Sequence, residues 1–130
     1  MALRAYLVED NPAIRESLME ALAELGGIEA AGATDREATA VAWLRDPANR
    51  WDIAIIDLML EPGAGTGFGV LQALRDRDPV KKMVVLTGTA SADVRQRCEK
   101  LGADGVFDKA METEAMLDYL VKLARAAGGH

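Results

Sequence analysis

Hydrophobic and polar positions alternate along this chain in two rhythms. Short apolar runs appear at Leu3–Val8, Ile28–Ala33, Asp52–Ile56, Met83–Leu86 and Gly105–Phe107. The third and fourth contain IAII and MVVL, unbroken apolar runs that suit strands covered on both faces of a parallel sheet. Between the runs, apolar residues return every three or four positions, the rhythm of helices with one buried face.

Boundary signals fit that division. Asn11-Pro12 predicts an N-cap followed by proline at the first helical position. The stripe Ile14, Leu18, Leu22 and Leu25 follows, and Gly26-Gly27 ends the helix. Thr34-Asp35-Arg36-Glu37 matches a capping box, opening a helix that runs to about Arg45 before Asp46-Pro47 stops it. A third helix is expected to begin near Thr66 or Gly67, to turn Leu71 and Leu74 inward and to end before Pro79. Ser91 caps a fourth, with Val94, Cys98 and Leu101 on one face and Gly102 at its end. The fifth starts near Glu112, buries Leu117, Leu120, Val121 and Ala124, and stops at Gly128-Gly129. Trp43 and Trp51 are expected to pack around the second helix. Five strand–helix repeats imply βαβ crossovers and an α/β fold with a doubly wound parallel sheet.

Composition narrows the picture. A length of 130 residues makes one domain, able to bury roughly two-thirds of its unfolded surface. The 15 Lys+Arg against 21 Asp+Glu give a net charge of −6, which argues against direct nucleic-acid binding and against anionic membrane surfaces. The longest aliphatic stretches fall far short of the roughly 18 residues of a membrane span. Met1–Ala5 carries no basic leader before an apolar run, so a cytoplasmic location is expected. The single cysteine, Cys98, excludes an internal disulfide and a cysteine zinc cluster, and its place on an apolar stripe predicts a buried small hydrophobe.

Ligands of open α/β sheets bind beyond the carboxyl ends of the strands. Glu9 and Asp10 follow the first run, Asp57 the third, Thr87 and Gly88 the fourth, and Asp108 and Lys109 the fifth. Glu9, Asp10 and Asp57 held close would repel one another, and Mg²⁺, a hard cation that prefers oxygen, offsets this. Three negative charges then meet two from the metal and one from Lys109. Such a site attracts a phosphoryl group, whose oxygens Lys109 and the Thr87 hydroxyl could share. A carboxylate at the sheet centre could act as nucleophile and form an acyl phosphate.

Asp57 follows Asp10 by 47 positions and precedes Thr87 by 30 and Lys109 by 52. With VEDN at 8–11, IIDLML at 55–60, LTG at 86–88 and FDK at 107–109, the chain resembles the receiver domain of two-component response regulators. The likeness runs from Leu3 to about Ala124. It implies a flavodoxin-like (βα)5 fold of strand order 2-1-3-4-5, with residues 1–125 as the receiver and 126–130 as a tail. It implies that Asp57 accepts phosphate from a sensor histidine kinase or phosphotransfer protein. It also implies Mg²⁺ held by Asp10, Asp57 and the main-chain carbonyl of Met59, with Glu9 acting through water. Thr87 and Lys109 would hold the phosphoryl oxygens, and Met59 and Thr89 would tune dephosphorylation. Output would pass through the face of helix 4, strand 5 and helix 5 to a partner protein, from a stand-alone monomer or phosphorylation-linked dimer.

Departures from the family pattern concern the last strand and one loop. Proline usually follows the lysine in a cis peptide; Ala110 stands there, where a cis bond would cost about 2.5–4 kcal/mol, so the loop is expected to take another path. The aromatic usual three positions before the lysine is Val106, with Phe107 beside it on the opposite face. The Glu61–Gly67 loop is about two residues longer than usual and glycine-rich, and is expected to be mobile. The glycines at 63, 65, 67 and 69 match no phosphate-loop spacing, and His130 at the terminus is expected to be inert. Two other reaction classes fit poorly. A haloacid-dehalogenase phosphatase needs a second aspartate where Met59 stands, and a flavin mononucleotide site would meet the acidic Glu9-Asp10. A phosphorylation-independent binding module is the remaining alternative.

Overall fold

The computed structural model describes residues 2–127. Strands β1 (Arg4–Val8), β2 (Glu29–Thr34), β3 (Ile53–Ile56), β4 (Lys82–Thr87) and β5 (Gly105–Asp108) alternate with helices α1 (Pro12–Gly26), α2 (Glu37–Arg45), α3 (Gly67–Ala73), α4 (Ala92–Lys100) and α5 (Thr113–Ala127). All strands pair in parallel, in the order β2-β1-β3-β4-β5.

The unbroken apolar strands have the predicted cause. Ala5 and Leu7, Ile53 and Ile55, and Val84 and Leu86 enter a core with Leu18, Leu22, Met116 and Leu120 from α1 and α5. Their neighbours Tyr6, Val8, Ala54, Ile56, Met83 and Val85 enter a second core with Ala40, Leu44, Val70, Leu71 and Cys98 from α2, α3 and α4. Successive strand residues point to opposite faces, so both sets must be apolar when both faces are covered. Trp51 is buried and donates its indole N–H to Leu44 O at 3.0 Å, while Trp43 stacks on Tyr6.

Most helix signals act as expected. Asn11 Oδ1 accepts the N–H groups of Ala13 and Ile14, and Gly27 closes α1 in the left-handed conformation. Ser91 and Thr66 cap α4 and α3. Other expectations are corrected. Leu25, placed on the buried stripe, is 57% exposed in the last turn of α1. On α5, Met116 joins Leu120 in the core, whereas Leu117, Val121 and Ala124 are only half-buried. The capping box at 34–37 does not form: Arg36 is the N-cap and makes no side-chain capping bond, and Glu37 turns to another loop. The Glu61–Gly67 loop, expected to be mobile, is tied down. Ala64 is buried, Met59 bridges Thr66, and Gly67 N–H donates to Leu58 O at 3.0 Å. By contrast, the peptide after Lys109 is trans, in line with the cost of a cis bond before Ala110. Gly128-Gly129 and His130 lie outside the described residues.

Candidate phosphoacceptor site

Strand register assembles the site. Val8 pairs Ile56 and Ile56 pairs Val85, so the residues that follow β1 and β3 emerge side by side. The ladder continues one step further, with Asp57 N–H donating to Val8 O at 2.9 Å and Lys109 N–H to Thr87 O at 2.8 Å. Backbone bonds therefore fix where Glu9, Asp57, Thr87 and Lys109 leave the sheet.

Lys109 Nζ lies 2.6 Å from Glu9 Oε1 and 2.9 Å from Asp57 Oδ2. Asp57 is 6% exposed; its Oδ1 accepts the Met59 N–H at 3.2 Å, so each carboxylate oxygen has a partner. Glu9 is 3% exposed and its Oε2 accepts the Asn11 N–H at 3.1 Å. Burial pushes the Glu9 carboxyl above its usual range, against the opposing pull of Lys109 and the Asn11 N–H; a hydrogen bond with Asp10 pushes it further up. Burial alone would lower the Lys109 ammonium, but its bonds to Glu9 and Asp57 outweigh this and raise it, keeping the charge in place. Thr87 is fully buried, and its hydroxyl shares a hydrogen bond of 3.1 Å with Thr89.

Glu9, Asp10 and Asp57 offer carboxylate oxygens within 4.8 Å of one another. An all-oxygen donor set with a single lysine against three acids fits a hard divalent cation. Among the described residues Asp10 has no ion pair of its own, so the cluster lacks charge balance at that corner.

A family model described as the response regulator receiver domain matches residues 5–121. The chain belongs to that family. Receiver domains are the phosphoacceptors of two-component signalling, so the family and the acidic cluster converge on the same edge of the sheet. The photosynthetic apparatus regulatory protein RegA of Cereibacter sphaeroides is 30% identical over 88% of this chain and 59% of its own length. The nitrate/nitrite response regulator protein NarP of Escherichia coli is 32% identical over 88% of this chain and 52% of its own. The chain thus spans about half to three-fifths of these curated relatives. Among solved structures, a CheY-like receiver domain protein of Methanospirillum hungatei superimposes with TM-score 0.79 at 23% identity over the whole of both chains. The non-phosphorylated HemR receiver domain of Leptospira biflexa gives 0.77 at 28% identity over 94% of each.

Some of this receiver's site was not legible in its motifs. Arg15 donates to Glu9 O at 2.8 Å and steadies the acidic turn from one helical turn into α1. Across the sheet, Arg95 binds Ala90 O at 3.2 Å, Val106 O at 2.8 Å and the Glu112 carboxylate, which also accepts the Asp108 N–H. Phe107 packs into the α1/α5 core near Tyr119, and Val106 packs against the opposite core, as the strand alternation requires. Cys98 is buried, and burial pushes its thiol up, which leaves it unreactive. No helix of the described residues is long and apolar enough to cross a membrane.

Proposed function

We propose that residues 1–125 form a receiver in which Asp57 takes a phosphoryl group from a sensor histidine kinase or phosphotransfer protein in the cytoplasm. The supporting observation is the position of Asp57: buried at the end of the central strand, 2.9 Å from Lys109, with Glu9 and Asp10 beside it. Glu9, Asp10, Asp57 and the Met59 main-chain carbonyl are the proposed Mg²⁺ set. When bound there, Mg²⁺ would supply charge neutralisation to the phosphoryl oxygens.

This chain's own groups do the rest. An Asp57 oxygen attacks phosphorus, an acyl P–O bond forms, and the P–N bond of the donor phosphohistidine breaks with its electron pair returning to the imidazole. Lys109, held protonated, exchanges its Asp57 contact for a phosphoryl oxygen. The Thr87 hydroxyl gives up its bond with Thr89 to donate to another. That exchange moves the segment after β4, whose Ala90 carbonyl is bound to Arg95. Through Arg95 it reaches Val106 and Glu112, on the α4–β5–α5 face where a downstream protein binds, as a monomer or as a phosphorylation-linked dimer.

Intact mass spectrometry after incubation with Mg²⁺ and acetyl phosphate, and separately with a histidine kinase and ATP, tests this reading. One phosphoryl adduct, absent in Asp57→Asn, is expected. No adduct from either donor leaves a binding module instead.

A further inference from the structure

The loop from Met59 to Gly67 begins two residues after Asp57, and the parallel strand ladder does not hold it. Its anchor comes from α2. Glu37 Oε1 accepts the Thr66 N–H at 2.8 Å, while Glu37 N–H donates to Ala64 O at 2.8 Å. One residue thus grips the loop through side chain and backbone together. From Thr66 the contacts run back to the site: Thr66 bridges Met59, and Met59 N–H donates to Asp57 Oδ1.

Glycine placement is an independent sign that the carboxylate is built in. A Cβ at Gly65 would lie 2.5 Å from Glu37 Cβ, and one at Gly69 would lie 2.3 Å from Glu37 Cδ. Gly65 has a φ of +92°, which itself favours glycine, but Gly69 does not adopt a left-handed conformation. A Cβ at position 69 would have to displace the Glu37 carboxylate from its present place. The side chain makes no capping hydrogen bond at the N-terminus of its own helix, although its charge sits in the first turn.

We propose that Glu37 is a positioning residue of the phosphoacceptor site. It fixes the 59–67 loop so that the Met59 carbonyl and the Asp57 carboxylate face one Mg²⁺ ion together. The inference rests on the reading of Asp57 as an Mg²⁺-assisted phosphoacceptor.

Mg²⁺ titration followed by the NMR amide shifts of Asp57 and Met59 tests it, alongside amide exchange at Thr66 in metal-free protein. Glu37→Ala is expected to weaken Mg²⁺ binding about five- to tenfold, the worth of one net hydrogen bond, and to speed exchange at Thr66. Glu37→Gln, whose amide oxygen can still accept that N–H, should stay within about twofold of the parent. Gly69→Ala, with Glu37 present but displaced, should weaken Mg²⁺ as Glu37→Ala does, and the double variant should be no worse than either. Gly69→Ala keeps a compatible backbone, so it carries the test if Glu37→Ala does not fold. Unchanged Mg²⁺ affinity in Glu37→Ala or Gly69→Ala, in a parent that binds Mg²⁺ and takes phosphate, overturns the role of Glu37 alone. A parent that does neither overturns both readings.

Discussion

Asp10→Asn separates an acid kept for function from one kept for the fold. Oxygens of Glu9, Asp10 and Asp57 lie within 4.8 Å of one another, and Lys109 reaches only Glu9 and Asp57. At that separation two like charges repel by about 0.9 kcal/mol in bulk water and about 3.5 kcal/mol at an effective dielectric of 20. Asp10 is half-buried, so the aqueous end of that range applies, and two neighbours sum to roughly 1–2 kcal/mol. Asparagine keeps the shape and removes the charge. In EDTA the variant should therefore be more stable than the parent by that amount, raising Tm by about 4 °C or more. Magnesium works the other way: at ten times its Kd it adds about 1.4 kcal/mol to the parent and nothing to the variant, which offsets the gap, and at a hundred times its Kd the added amount of about 2.7 kcal/mol reverses the ranking. Urea denaturation with and without Mg²⁺ measures both effects. A variant less stable in EDTA, or one stabilised by Mg²⁺ as much as the parent, refutes the reasoning.

Three further outcomes follow from single contacts. Asn11→Ala removes the acceptor of two N–H groups at the start of α1 and should cost about 1 kcal/mol in urea denaturation, with Asn11→Asp near neutral. Arg77→Ala should cost about 2 kcal/mol, because Arg77 binds Asp104 at 2.7 Å and Asp104 also accepts the Met83 N–H; a double-mutant cycle with Asp104→Asn should show coupling of about 1 kcal/mol. Glu112 is held below its ordinary value near 4.5, first by its bond from Arg95 and then by the Asp108 N–H. A lowered folded-state value means stability present above the ordinary value and lost as pH falls through the folded one. Glu112→Gln should therefore melt below the parent at neutral pH, with the gap closing under acid; a gap independent of pH would deny the charged contact.

Periodicity made the sheet legible because two covered faces force unbroken apolar strands, and strand ends then located Glu9, Asp57, Thr87 and Lys109 without side-chain geometry. What escaped were contacts that depend on distant partners. Glu37 matched a local capping pattern, but the slot left by Gly65 and Gly69, together with the Thr66 N–H, outcompeted it. Two of the glycines read from the sequence as loosening this segment, Gly65 and Gly69, leave the room that side chain occupies. Met116 took a core place in α5 that Leu117 was expected to hold, since one residue turns a helix by about 100°. The Arg95–Glu112 tie joins a helix to a loop that no sequence spacing connects.

The central claim is that the phosphoryl group rests on one particular carboxylate. Borohydride reduction of the phosphorylated protein converts an aspartyl phosphate to homoserine, and peptide sequencing by mass spectrometry then reads its position. Homoserine at position 57 is the predicted result. Homoserine at position 10, or a phosphoryl group on a hydroxyl that borohydride leaves intact, would contradict the account.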